Sequence, residues 1–396
     1  MERSLRVFPV TVLMGPRQTG KTTLARHLSA GTDRLYLTLD DLEVREQART
    51  DPAGLLARAP RLVLDEVQRA PDLLLEIKRA VDAGPDRKPG RFILTGSANL
   101  LLMDRVSESL AGRAGYVTLW PMTRGELEGR ASAGAWNTLL DEPPGRWMEV
   151  LPEPRAHADW RALAKRGGYP VPAHQLVSEV DRTTWFAGYV RTYLERDVQQ
   201  LAAIEQLGDF RLLMTLVSLR LGGVLNQAEL ARDAALSHAT AHRYLNLMET
   251  SFQTFRLQPF AGSRTKRHVK SPKLYWTDTA LALHIAREAE PTGAHLENLV
   301  LADLLSWQES RAERPEILYW RTYDGTEVDV VLAVGGRLLA VEIKATTKPR
   351  FGDADGLRAF RDVAGPRFHG GVLLHDGTET RTLSEDIIAV PWWRIL

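Results

Sequence analysis

Val10-Thr11-Val12-Leu13-Met14-Gly15-Pro16-Arg17-Gln18-Thr19-Gly20-Lys21-Thr22-Thr23 decides how this chain is read. Val10–Met14 is a short β-rich apolar run, the pattern of a buried parallel strand. Gly15 to Thr22 fits G-x-x-x-x-G-K-[ST] at every fixed position, and Lys21–Leu28 carries apolar residues at helical spacing. A glycine-bearing turn between a strand and a helix N-terminus is a cradle for phosphate. Its backbone N–H groups wrap the anion, and the helix end adds positive potential. Lys21 is placed to reach β- and γ-phosphates, and Thr22 to ligate magnesium. Gly15, Pro16, Arg17, Gln18, Thr19, Gly20 and Thr23 complete the expected binding loop. A chance glycine turn would not explain the strand before it and the helix after it.

Further apolar runs at Leu35–Leu39, Leu62–Leu64 and Phe92–Thr95, with a helical pattern at Leu73–Val81, extend this to an α/β parallel sheet covered by helices. Arg61-Leu62-Val63-Leu64-Asp65-Glu66 is a strand that ends in two carboxylates. Asp65 is expected to hold the magnesium shell and Glu66 to polarise an attacking water, which makes ATP with Mg2+ the expected ligand pair. Phe92-Ile93-Leu94-Thr95-Gly96-Ser97 ends in hydroxyls. Thr95 or Ser97 is placed to sense a γ-phosphate; a plain strand-to-loop turn is the equal alternative. Arg113, in Leu110-Ala111-Gly112-Arg113, reads either as a finger for a neighbouring subunit's nucleotide or as a surface arginine.

The 396 residues exceed one compact core at about 100–200 residues per domain. Hydrophobic residues at 44% and charged residues at 26% exclude a disordered chain. A net charge of +1 gives no overall basic field, so any nucleic-acid site must be a local patch. The absence of cysteine excludes disulfides and thiolate zinc sites. Met1–Val12 lacks the apolar core of a secretory signal, and no apolar run reaches the roughly 18 residues of a membrane span. The expectation is a cytoplasmic protein with no membrane contact.

Residues 131–175 hold Pro143, Pro144, Pro152 and Pro154 followed by Gly167-Gly168-Tyr169-Pro170, and read as a linker or lid. Residues 176–273 read as a winged helix. Leu225–Ala231 begins a short helix, Ala234–Ser237 makes a turn with Ser237 as N-cap, and Ala239–Met248 forms a second helix. Ala241, Leu245 and Met248 mark its buried face. Thr240, His242, Arg243 and Asn246 then face outward, as types suited to phosphates and base edges. Phe260 to Lys270 resembles a wing loaded with cations at Arg264, Lys266, Arg267 and Lys270. DNA held with low sequence specificity is the expected partner; a protein-contact module is the alternative.

From residue 274 strands return. Glu327-Val328-Asp329 opens one, Gly335-Gly336 turns the chain, and Leu338 to Lys344 returns. Alternation puts Glu342 and Lys344 on one face with Asp329 opposite, and Glu297 enters from a preceding helix. Such hard oxygens suit magnesium or manganese, with Lys344 orienting a water. A hairpin with a surface ion pair is the other reading.

Taken with Asp65-Glu66-Val67-Gln68, Gly167-Gly168-Tyr169-Pro170, Tyr193–Val198, Ser271-Pro272-Lys273-Leu274-Tyr275-Trp276-Thr277-Asp278-Thr279 and Glu342-Ile343-Lys344, the chain resembles a bacterial and archaeal family of AAA-like ATPases. These join a P-loop ATPase to a winged helix and a C-terminal PD-(D/E)XK nuclease-like fold. The resemblance implies residues 1–130, 131–175, 176–273 and 274–396 as ATPase, linker, winged helix and nuclease-like domain. It implies ATP hydrolysis by an oligomeric motor or switch, with closed rings such as a hexamer natural to the type. Three activities compete: a DNA-remodelling ATPase, including one acting on branched DNA; an ATP-gated metal-dependent nuclease; and a signalling or defence switch that binds a protein.

Overall fold

The computed structural model describes residues 1–83, 88–96, 110–130, 134–151, 157–193, 198, 206–261 and 271–396. They fall into two compact units. The first is Met1–Trp120 with Tyr189–Glu205 and Thr250–Phe252; the second is Pro121–Gly188, Gln206–Glu249 and Gln253–Leu396. Among the described residues no helix is long and apolar enough to cross a membrane.

The first unit is built on five parallel strands: β1 (Val10–Met14), β2 (Arg34–Thr38), β3 (Arg61–Asp65), β4 (Phe92–Thr95) and β5 (Ala114–Thr118). Their order is β2-β3-β4-β1-β5. Alternate side chains leave opposite faces, so both faces need cover. Val12, Leu64, Phe92 and Leu94 pack with helices Leu42–Thr50, Pro52–Ala57 and Leu73–Asp82. Val63 and Ile93 pack on the other side with Ala25 of helix Lys21–Ser29. Because β4 lies between β1 and β3, its C-terminal residue sits between the phosphate loop and Asp65.

The second unit carries an eight-stranded mixed sheet: β6 (Thr254–Pro259), β7 (Lys273–Trp276), β8 (Glu316–Arg321), β9 (Glu327–Val334), β10 (Arg337–Lys344), β11 (Phe368–His375), β12 (Arg381–Ser384) and β13 (Ile387–Pro391). β9 and β10 form a hairpin through Gly335 and Gly336 at φ 56° and 80°, the left-handed pair a two-residue turn requires. Helix Gly293–Ser310 covers one face through Leu296, Val300 and Leu304. Helix Asp355–Ala364 covers the other through Leu357 and Phe360.

The stretch expected as a linker behaves differently. Trp136, Trp147 and Trp160 are 0% exposed and belong to the same core as the sheet. The Trp136 indole donates to Asp303 at 2.7 Å, and the Ala135 N–H donates to the Ile395 carbonyl at 2.8 Å. Pro143 and Pro144 punctuate short buried helices here rather than opening the chain.

Candidate nucleotide site

The loop after β1 is wound by three residues in the left-handed region, Gly15 at φ 135°, Gln18 at 61° and Gly20 at 94°. A Cβ on Gly15 would lie 2.2 Å from the Leu119 carbonyl oxygen, so only glycine fits between the loop and the end of β5. The Thr19 hydroxyl ties the loop by donating to the Pro16 carbonyl at 3.0 Å. Gly20 then caps helix Lys21–Ser29, whose free N–H groups open toward the loop. The Lys21 ammonium is buried and donates to the carbonyls of Gly15 at 3.0 Å and Pro16 at 2.5 Å. A phosphate oxygen arriving in the loop can take over those donors.

Asp65, 2% exposed, is the hub of the site. Its carboxylate accepts from the Thr22 hydroxyl at 3.3 Å, from the Tyr36 hydroxyl at 2.6 Å and from the Thr95 hydroxyl. Thr95 also accepts from the Glu66 N–H at 3.4 Å. A hydroxyl on the loop and a carboxylate beside it form the hard-oxygen pair that suits magnesium carried by a triphosphate, so the residues fit that ion. Glu66 takes φ 59°, a left-handed turn that swings it out of the strand line, and accepts from the Gln68 amide. Burial first, then the charges of Asp65 and Asp40, raise its carboxyl above the usual range. Tyr36 carries no motif signal; only its place on β2, one strand from Asp65, reveals it.

The remaining expected residues are placed as follows. Thr23 lies in the first turn of the same helix and is exposed, and Arg17 lies in the loop. Ser97 lies outside the described residues. Arg113 precedes β5, whose start pairs with the start of β1, so it sits at the end of the sheet opposite the phosphate loop. Its guanidinium grips Asp82 at 2.6 and 2.8 Å. Within one chain it does not reach the nucleotide loop.

In the second unit, helices Gln227–Asp233 and His238–Thr250 form the expected pair, with Ser237 accepting from the Thr240 N–H at 3.1 Å as N-cap. Ala241, Leu245 and Met248 are buried as the spacing predicts. His242 and Arg243 are exposed; Thr240 and Asn246 are half-buried. Asn246 accepts from Arg256 at 2.7 Å and lies 3.0 Å from His242, so these two polar groups already bond within the chain. β6 and β7 pair antiparallel and lead into and out of Gly262–Lys270, which lie outside the described residues together with Arg264, Lys266, Arg267 and Lys270. Val224 adds a bridge to Lys273 on the free side of β7.

The C-terminal carboxylates do converge, but around a lysine. Lys273, its side chain 5% exposed, lies 3.1 Å from Glu297, 3.8 Å from Asp329, and in contact with Glu327. The Tyr275 hydroxyl donates to Glu297. Burial works to lower the Lys273 pKa, but Glu297, Asp329 and Glu327 outweigh it and leave the ammonium raised. Asp329 accepts from the Ile343 N–H at 2.8 Å, and Glu342 accepts from Lys344 at 2.5 Å. Burial and the Asp329 charge push the Glu342 carboxyl up to about 8, and the same causes push Glu297 up to about 7. Among the described residues no group of three or more His, Asp or Glu side chains is set to hold a metal ion. The expected ligand set of Glu297, Asp329 and Glu342 is instead shared between two lysines, Lys273 beside Glu297 and Asp329 and Lys344 beside Glu342. Lys273 and Tyr275 come from the same motif as Asp278, which accepts from the Gly168 N–H at 2.7 Å and from the Leu281 N–H at 2.9 Å. Two motifs with no evident relation in sequence thus meet at one buried carboxylate.

Residues 7–128 match a family described as AAA domain. Residues 157–292 and 292–395 match two domains of unknown function, DUF8612 and DUF4143. Uncharacterized protein Rv2008c of Mycobacterium tuberculosis is 32% identical over 100% of this chain and 83% of its own length. Uncharacterized protein Mb2031c of Mycobacterium bovis matches at the same identity and coverage. Among solved structures, the Walker-type ATPase PABY2304 of Pyrococcus abyssi is similar over 72% of this chain and 93% of that one, with a TM-score of 0.45 and 16% identity. The AAA match covers the loop, Asp65 and Thr95 described above, and marks an ATPase of the P-loop type, a class that uses nucleotide and usually Mg2+. The chain belongs to the family of Rv2008c and Mb2031c, and in it an AAA domain of the P-loop ATPase type is followed by segments that match DUF8612 and DUF4143.

Proposed function

We propose that this protein hydrolyses ATP in its first unit and binds DNA with its second, with low sequence specificity, the turnover resetting its hold on DNA. The reading is carried by Asp65, which ties the loop hydroxyl of Thr22 to the strand hydroxyl of Thr95. Lys21 exchanges its two carbonyl partners for β- and γ-phosphate oxygens. Thr22 and Asp65 hold magnesium, which when bound neutralises charge building on the phosphoryl oxygens. Glu66 orients the attacking water and takes its proton. DNA contact rests on the exposed His242 and Arg243 of the second helix and on the basic run Arg264–Lys270 in the connection between β6 and β7, the order of elements in a winged helix.

Fluorescence anisotropy with duplex and branched DNA tests the DNA half. Changing Arg264, Lys266, Arg267 and Lys270 together to Ala should weaken binding and flatten its salt dependence by about 0.9 log unit for each phosphate no longer neutralised. Unchanged affinity in that variant refutes it. Assembly into a closed ring would ask Arg113 to leave Asp82 for a neighbouring nucleotide; light scattering of Asp82→Ala with ATP examines this. A metal-dependent nuclease is a second reading, favoured by Asp329 lying beside the Glu342-Ile343-Lys344 segment. DNA cleavage lost in Asp329→Ala would establish it.

A further inference from the structure

We propose that Lys273 is the resident cation of the C-terminal carboxylate centre, standing where the side-chain types alone would call for a divalent metal. The proposal does not depend on DNA binding. Three carboxylates, from helix Gly293–Ser310 and from two positions of β9, meet one ammonium that β7 delivers from the sheet edge. The ammonium is nearly inaccessible, and its side chain also lies 5.5 Å from the Tyr319 ring. Tyr275, two residues on along the same strand, donates its hydroxyl into the cluster. Lys273 thus offsets one of the three carboxylate charges on this side of the centre from within the chain. A second lysine, Lys344, does the same for Glu342 on the adjoining strand. A divalent ion entering here would have to compete with Lys273 for Glu297, Glu327 and Asp329.

One place in the centre is incompletely used. Glu342 is 6% exposed, and its second oxygen, Oε2, has no hydrogen-bond partner. That oxygen is where an entering ion would gain a ligand, so Mn2+ uptake at this place decides between metal and ammonium. Lys273 also sits at the base of the β6–β7 connection and bridges to Val224. The internal cation thus joins the carboxylate centre to the strands that frame the basic segment. On this view the second unit is a binding module whose acids fix the position of those strands.

The test is Mn2+ binding to the full chain without nucleotide, read by electron paramagnetic resonance. Wild type and Asp329→Asn should bind Mn2+ alike, so that any uptake belongs to the first unit. Lys273→Met should gain a site at least tenfold tighter than wild type, lost again when Asp329→Asn is added. Mn2+ should also raise the melting temperature of Lys273→Met by more than it raises that of wild type or of the double variant. Mn2+ uptake by wild type that Asp329→Asn weakens would overturn the proposal, and this comparison stands even if Lys273→Met does not fold. A folded Lys273→Met chain that gains no Mn2+ would overturn it as well.

Discussion

Thr95→Val removes one hydroxyl from the end of β4 and leaves the side chain's shape nearly unchanged. The position is 1% exposed, so a valine there is not penalised by solvent, and one β-branched residue replaces another in the strand. The lost hydroxyl donates to Asp65 and accepts from the Glu66 N–H. A hydrogen bond to a charged group contributes about 1.5–3 kcal/mol. If that is spent in aligning Asp65 and Glu66 for the reaction, turnover falls roughly 10- to 150-fold at about 1.4 kcal/mol per tenfold. Tyr36 and Thr22 still hold the two oxygens of Asp65, which favours the lower half of that range. Nucleotide affinity should hold within about threefold, because Lys21 and the loop amides are untouched. The assay is phosphate release under saturating ATP, paired with equilibrium binding of a fluorescent ATP analogue. Unchanged turnover would refute the role given to Thr95 and leave a plain end of strand. Loss of affinity with turnover intact would put the residue in ground-state binding instead.

Glu66→Gln should retain ATP binding and lose hydrolysis by about 10²–10⁴-fold, measured by the same two assays. Since Glu66 has a raised pKa and acts as the carboxylate, wild-type turnover should climb with pH above its ordinary 4.5, and the Gln variant should lose that limb. Trp136→Ala should cost about 3–5 kcal/mol of second-unit stability by urea denaturation, since it empties a fully buried site; a neutral effect would restore the linker reading. The folded chain holds protons on Glu297 and Glu342 up to about 7 and about 8, against 4.5 unfolded. Their stabilising contribution is therefore complete below pH 4.5 and is lost as pH rises through 7 to 8. Tryptophan fluorescence against urea reports this, because every tryptophan except Trp120 lies in the second unit. Glu342→Gln should flatten the slope.

Sequence reading reached the nucleotide site because its chemistry is local. Loop, helix and lysine lie within Gly15–Thr23, and Asp65-Glu66 ends a strand whose apolar run is visible. The strand edges moved by a residue or two, with Leu62–Leu64 widening to Arg61–Asp65. The hairpin from Glu327 to Lys344 was equally readable, since Gly335-Gly336 fixes its turn. Lys273 was not. Its partners at 297, 327 and 329 lie on other elements, and no spacing rule joins a lysine at a strand start to acids so far along. The Arg113 pairing was hidden for the same reason, because Asp82 reaches it through the fold rather than through the sequence. The tryptophans at 136, 147 and 160 were hidden by their prolines, which signal interruption but say nothing of burial.

The way the second unit closes has a consequence for how the protein is made. The Arg124 guanidinium bonds the Trp393 carbonyl across 269 positions, and Trp392 is wholly buried. Translation delivers residues in order, so the five-stranded sheet is complete by Thr118 while Trp136, Trp147 and Trp160 still await their last neighbours. Nascent chains should therefore display greasy indoles until synthesis is nearly over, an interval in which holdase chaperones find a target and premature stops yield insoluble fragments.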